Sequence, residues 1–590
     1  AGIVNFDSLW YHMPFAVDIV QSGSTTGLHH TDTVFVNWFY PQNSELVHAA
    51  GILLTGRDTV SLFVNFGWLA MTLLAAWCVG RPYGRGPLTI AAAGILLECH
   101  TLVVREPGAA KNDVAAAALL LAAVAILVTA SEVRKSEVRS QKSEAEGAIA
   151  PGWALAAAGL AAGLAAGTKV TVLAAVFGLT IAAIALSPAG RRRVAAAWWL
   201  VPVVAGSGFW YLRNLIDSGN PIPQIRHLGP LSLPGPERLQ VGRPDFNVLH
   251  YATDTGVWRE YFAPGLHQAF GLLWPLVLIG AFAGALIAVF RGPNRALRWT
   301  GGVALFAIAT YLATPLSAAG ADGAPVAFAI NIRFVIPALL LGLVLLPLAP
   351  AFGTRRRQWL LLGALIAVMV VTDRSDGVLR DPERLFGLLV ALVAVAVPAG
   401  LIFARARGAA IGVVIAGSAA LAAAVVAIGY PVQRDYLRDR FTHFDPSMNL
   451  DTAYRWANGV SDARIGLVGT TAGFLGYGFY GPDLSNRVRY LGVEGPDGAF
   501  NAIPTCRRFR DSVNRADLDY LVTAPFLNFI HPEDPLPSPE TAWLRGEPAV
   551  EVVNRDGPVT VWRVRGRLDP AGCARIGGAP QRNVPAQPGA

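Results

Sequence analysis

The chain predicts a mainly α, polytopic membrane protein with a small C-terminal α/β domain. Three observations predict this. Of 590 residues, 53% are hydrophobic and only 15% charged, against roughly a quarter charged in soluble domains. The apolar residues gather in blocks about as long as a membrane-crossing helix, roughly 20 residues. Alternate breaks between the blocks are basic, which is how cytoplasmic loops retain Lys and Arg.

In chain order the blocks give twelve expected spans: 59–79, 87–104, 113–130, 152–167, 170–186, 195–212, 267–290, 299–315, 333–350, 358–372, 385–403 and 408–429. Arg81 and Arg85 follow the first, Arg134, Lys135, Arg139 and Lys142 the third, and Arg191 to Arg193 the fifth. Arg291, Arg295 and Arg298 follow the seventh, Arg355 to Arg357 the ninth, and Arg405 and Arg407 the eleventh. Every odd-numbered span thus exits into a basic loop, which places those loops in the cytoplasm and the other loops and both chain ends outside. One long helix over 152–186 would invert everything downstream, so two spans are expected there. Residues 1–429 form the transmembrane domain, with outer loops at 1–58, 105–112 and 213–266. The mixed-charge stretch 131–150 reads as a solvated cytoplasmic linker. These basic loops account for the net charge of +8, and nucleic acid is excluded as a partner.

Residues 430–570 read as a small α/β domain outside the membrane. ARIGLVG (463–469), NRVRYLG (486–492) and LDYLVTAP (518–525) are strand-like, and Thr505 to Ala516 is a helix. Residues 549–564 form a hairpin around Arg555-Asp556-Gly557. The Gly-rich run 469–481 lacks the spacing of a dinucleotide-binding turn. Cys506 and Cys573 share this region, and a disulfide between them is one option. Residues 571–590 read as a disordered tail.

The candidate chemistry lies in the outer segments. FDSLWYHMPFA (6–16) presents Asp7 with Tyr11 and His12, and YPQNSELVHA (40–49) adds Tyr40, Glu45 and His48. REPGAAKND (105–113) carries Glu106 and Asp113. Carboxylates at one membrane face suit a general base for an acceptor hydroxyl, or a metal or sugar site. Lys169, Arg213 beside Asn214, and Arg333 stand at outer helix ends. Such cations suit a phosphate, held by charge-assisted hydrogen bonds.

FDSLWYHMP, YPQNSEL, KNDV, GLAAGTKVT, WYLRN…GNPIP and IRFVIP, taken in order, resemble the membrane GT-C glycosyltransferases. The nearest likeness is to bacterial relatives of the dolichyl-phosphate-mannose protein mannosyltransferases and of the lipid A aminoarabinose transferases. The likeness covers about residues 1–350. It implies a GT-C bundle in the bacterial cytoplasmic (inner) membrane and an inverting transfer at the outer face. The donor is then a polyprenyl-phosphate-linked sugar, and the acceptor an extracytoplasmic glycan, lipid or protein. Asp7 matches the family's aspartate base and Asp113 its second acid. Lys169, Arg213 and Arg333 match the donor-phosphate role. Tyr11, His12, Glu45, Glu106 and Asn214 are candidates for the substrate or metal site, with Glu45 as ligand if a divalent metal ion takes part. Ser8 follows Asp7 where some members carry a second acid. The family's helix before this loop is not in the sequence, so a native N-terminus in the cytoplasm is expected. Two rival readings use the same pattern. A flippase for a lipid-linked glycan predicts charges near the midplane of broken helices. A non-catalytic glycan-binding or assembly subunit predicts the same fold without transfer.

Overall fold

The computed structural model describes residues 3, 5–33, 35–97, 108–140, 152–228, 231–236, 246–316, 320–326, 328–376, 450–469, 475–525 and 538–576, with scattered positions between 408 and 427. The helices of the bundle are α1 (Met13–Ser22), α2 (Asn43–Thr55), α3 (Ser61–Gly80), α4 (Gly86–Leu97), α5 (Asp113–Ser140), α6 (Gly152–Ala166), α7 (Leu173–Ala185) and α8 (Arg192–Ser218). They continue with α9 (Ala263–Phe270), α10 (Trp274–Arg291), α11 (Arg295–Ala313), α12 (Ile336–Leu345) and α13 (Arg355–Asp376).

Among the described residues five helices are long and apolar enough to cross a membrane, or six when the bent pair Phe328–Phe334 and Ile336–Leu348 is one span. These match six of the twelve expected spans. Gly86–Leu97, Gly152–Ala166 and Val170–Ala185 are apolar but shorter. The spans expected at 385–403 and 408–429 lie outside, or largely outside, the described residues. Four of the five long apolar helices keep much of their surface outward, whereas 72% of the best window of Asp113–Glu132 is buried. Only 28% of the best window of Trp274–Arg291 is buried, and Ile279 and Phe290 are largely exposed. Apolar exposure on this scale suits helices that face hydrocarbon.

Three breaks shape the bundle. Between α6 and α7 the chain turns at 167–169, with Lys169 extended (φ −152°), so 152–186 is two helices. Gly271 (φ +73°) separates α9 from α10, so the span expected at 267–290 starts later, at Trp274. The third break bends the chain by 56° between Phe334 and Ile336. Pro337 lacks the N–H that the Arg333 carbonyl would accept in an unbroken helix.

Small residues let α6 and α8 meet closely. A Cβ on Gly159 would lie 2.5 Å from the Trp199 carbonyl oxygen, and one on Gly163 would lie 2.4 Å from that of Val203. Hydrogen at these positions lets α6 and α8 meet backbone to backbone, as small-residue repeats do in lipid.

The C-terminal residues build a five-stranded sheet in the order β2-β1-β3-β5-β4. Its strands are β1 (Arg464–Val468), β2 (Arg487–Tyr490), β3 (Tyr520–Thr523), β4 (Val550–Asp556) and β5 (Val559–Val564). β1 runs parallel to β2 and β3, while β5 is antiparallel to β3 and β4. Thr505 caps the helix Cys506–Ala516 by accepting from the Arg508 amide. A disulfide joins Cys506 to Cys573.

The described residues of the outer segment 1–58 pack into the molecule. Leu9, Phe15, Trp38 and Ile52 share one hydrophobic core with Tyr454, Leu467, Phe479 and Val561 of the sheet region. Polar ties reinforce it. Tyr477 Oη donates to Asp58 (2.7 Å), Tyr480 Oη donates to Asp18 (2.6 Å), and Gln21 Nε2 donates to the carbonyls of Leu484 and Asn486. The His30 ring stacks on Phe500 at 4.0 Å.

Candidate active site

Asp7 leads into a wide-turned helical segment, Ser8–His12, whose residues are all buried. Asp7 itself is only 7% exposed. Its Oδ2 accepts from Arg333 Nη1 and lies 3.8 Å from Lys111 Nζ. Burial opposes the charged carboxylate, but the positive charges of Arg333 and Lys111 and the Arg333 hydrogen bond outweigh it and hold its pKa down at about 2. Ser8, the departure from the two-acid pattern, has a structural task. Its hydroxyl accepts from the Ala110 amide (3.0 Å) and so ties the Asp7 segment to the one carrying Lys111.

The second acid, Asp113, begins α5, where the helix dipole favours a negative charge. Its Oδ1 is 2.6 Å from Lys169 Nζ, and Lys169 also donates to Asn112 Oδ1 (3.1 Å). Asn112 Nδ2 donates to the Thr168 carbonyl (2.8 Å), which joins the 108–113 segment to the break between α6 and α7. From α3, Asn65 Nδ2 donates to the carbonyls of Ala109 (2.9 Å) and Lys111 (3.0 Å). Phe334 sits under both halves of the cluster. Lys169 Nζ is 5.6 Å and Arg333 Cζ 5.2 Å from its ring centre, within reach of cation–π attraction.

Asp7, Asp113, Lys169 and Arg333 therefore converge from four separate stretches of chain. Lys111, Asn112, Asn65 and Phe334 belong with them; the sequence shows the first two in the 105–113 segment without a role, and does not single out the last two. Lys111 and Asn112 stood in plain view in the KND triplet, since a polar run directly ahead of an apolar span must serve the helix end or a site. Asn65 had one signal, an amide inside an apolar helix. Phe334 had none.

Tyr11 and Tyr40 flank the acids, their rings 5.7 Å apart. Burial foremost, with the nearby Asp7 charge, raises the Tyr11 phenol well above its ordinary range. Burial pushes Tyr40 up to about 12 against the opposing pull of Arg333. Both remain hydroxyl donors at neutral pH. His12 Nδ1 donates to Glu45 Oε1, and both side chains are buried. His48, on the same helix as Glu45, is buried as well, and burial lowers its pKa to about 3, so the ring is neutral.

Arg213 and Asn214 stand elsewhere. Both lie on α8, which runs on to Ser218, and not in a loop. Arg213 Nη2 donates to the Trp38 carbonyl (2.6 Å), and Asn214 Nδ2 donates to that of Phe39 (2.8 Å). They brace the 38–40 segment, because their side chains reach across α8's end to a backbone that has no ladder partner. Glu106 lies outside the described residues. Among those residues no three His, Cys, Asp or Glu side chains gather into a group able to hold a metal ion. Glu45, the expected ligand, is engaged by His12.

No family model matches the sequence, and no curated protein matches it significantly. Solved structures do. ArnT from Cupriavidus metallidurans bound to undecaprenyl phosphate is similar with a TM-score of 0.50 and 17% identity, over 95% of this chain and 94% of that one. The apo state of the same protein gives a TM-score of 0.48 at the same identity and coverage. The Archaeoglobus fulgidus oligosaccharyltransferase, tethered to an acceptor peptide containing the NVT sequon, gives 0.40 at 10% identity, over 89% of this chain and 65% of that one. The chain thus has the fold of the GT-C membrane glycosyltransferases, as its sequence resemblance implied.

Proposed function

We propose that the protein is an integral-membrane glycosyltransferase. It takes a sugar from a polyprenyl-phosphate donor and transfers it, with inversion, to a hydroxyl of an extracytoplasmic glycan, lipid or protein. One observation carries the reading: Asp7 and Asp113 share a buried cluster with Arg333, Lys111 and Lys169. Such a cluster joins a proton acceptor to a phosphate-sized set of donors. A solved protein of the same fold was crystallised with undecaprenyl phosphate, a lipid of the class this cation set suits.

In the proposed step the acceptor oxygen bonds to the anomeric carbon as the bond from that carbon to the phosphate oxygen breaks. The acceptor's proton passes to the Asp7 carboxylate, and the electron pair leaves with the polyprenyl phosphate. Arg333, Lys111 and Lys169 meet the charge that develops there, as preorganised donors do in a water-poor site. Tyr11 and Tyr40, kept protonated, add hydroxyl donors at the edge of the pocket. Phosphate is a sufficient leaving group without a general acid. The Cys506–Cys573 disulfide supports an extracytoplasmic position for the sheet region, on the outer face of the bacterial cytoplasmic membrane.

The test is Asp7→Asn in purified protein, assayed with a polyprenyl-phosphate sugar. Loss of a general base is expected to slow transfer by about 10²–10⁴-fold in protein that remains folded. A folded variant with full transfer activity would sink the assignment.

A further inference from the structure

The cations that suit the donor phosphate are already occupied, and their occupants are the two acids. Arg333 is bound to Asp7, and Lys169 to Asp113 at 2.6 Å. Lys111 approaches the same Asp7 oxygen at 3.8 Å. A phosphate entering this cluster meets carboxylates holding the same donors. A carboxylate clamped between Arg333 and Lys111 is also a poor base, because protonating it means giving up both attractions.

We propose that the two carboxylates are place-holders for the donor. A phosphate displaces Asp7 from Arg333 and Asp113 from Lys169, so Asp7 becomes able to take the acceptor's proton only after the donor is seated. The geometry favours exchange over simple addition. Arg333 and Lys169 sit at chain breaks, the bend before Pro337 and the turn at 167–169, and both heads lie over the one Phe334 ring. A guanidinium or ammonium there can change partners by side-chain rotation while keeping its aromatic support. The consequence is an ordered reaction. Before the donor binds, the base is quenched and an acceptor hydroxyl, or water, is not activated.

This rests on the polyprenyl-phosphate reading, and the experiment separates the two. Binding of undecaprenyl phosphate is measured on the full-length protein in detergent, for wild type, Arg333→Met, Asp7→Asn and the double variant. If Arg333 must first leave Asp7, its removal costs little affinity in wild type and much more once Asp7 is an amide. A coupling of about tenfold is expected, equivalent to about 1.4 kcal/mol. If the two substitutions act independently, with factors that multiply to within threefold, the exchange is overturned while the phosphate reading stands. If wild type binds no undecaprenyl phosphate, the phosphate reading itself fails. Should an Asp7 or Arg333 variant not fold, the cycle Lys169→Met with Asp113→Asn reads the same exchange at the other pair.

Discussion

Arg333→Met is the sharpest test of the cluster's electrostatics. In the wild type, Asp7 has a folded pKa of about 2 against 3.8 for the free side chain. A depressed carboxylate contributes stability that is fully present above the unfolded value and is lost as pH falls through the folded one. The difference is worth roughly 2 kcal/mol, present above about pH 4 and gone near pH 2. Methionine removes the largest of the opposing charges and leaves the burial that raises the pKa. Lys111, at 3.8 Å, is then the nearest compensation. Breaking one partner out of a buried pair costs on the order of 3–5 kcal/mol, and Asp7 should titrate above its unfolded value. The sign of the pH dependence then reverses: this group's contribution falls as pH rises above about 4, where in wild type it was flat. The assay is the apparent thermal unfolding midpoint in detergent between pH 4 and pH 8. The variant is expected to unfold at a lower temperature than wild type throughout, with the gap widening toward pH 8. A midpoint indistinguishable from wild type across that range would show that Arg333 and Asp7 are not paired.

Two further outcomes follow from the packing and from a second, partly buried acid. Gly163→Val should destabilise the bundle by about 1–3 kcal/mol, since its Cβ would meet the α8 backbone at Val203, whereas Gly67→Ala, with open space at that point on α3, should be neutral or slightly stabilising; equal unfolding midpoints for the two would refute the close contact. Asp18 is raised to about 7 by burial, against the opposing hydrogen bond from Tyr480. A raised carboxylate loses stability as pH climbs from about 4 through 7, so Asp18→Asn should flatten that part of the pH–stability curve and raise stability at pH 8. A variant curve parallel to wild type would count against the burial of Asp18.

Much of the site could be read along the chain because its residues are costly in their surroundings. A lysine between two apolar blocks, an arginine at the head of another and acids just outside the bundle all need partners in or beside lipid. That reasoning picked out Lys169, Arg333, Asp7 and Asp113. Arg213 carries the same charge at a similar helix end, yet its guanidinium donates to the Trp38 carbonyl. Which cation meets which acid depends on how far α8 continues and which backbone it passes, and one-dimensional spacing contains neither. Glu45 likewise meets a partner that spacing does not reveal. Its partner, His12, lies on another segment, and only the packing of α2 against Ser8–His12 brings them together.

The sequence by itself determined the class of molecule and the inventory of charges, because hydropathy, loop basicity and strand alternation are local properties that survive any packing. The breaks at 167–169 and before Pro337 were also local in origin, written in glycine and proline. Tertiary structure alone decided that the first segment is buried against the C-terminal sheet and that Ser8 ties Asp7's segment to Lys111's. It also decided that two acids and three cations form one cluster. Those outcomes depend on contacts between residues far apart in the chain, and their energies arise only when burial removes the water that would otherwise keep each charge separate.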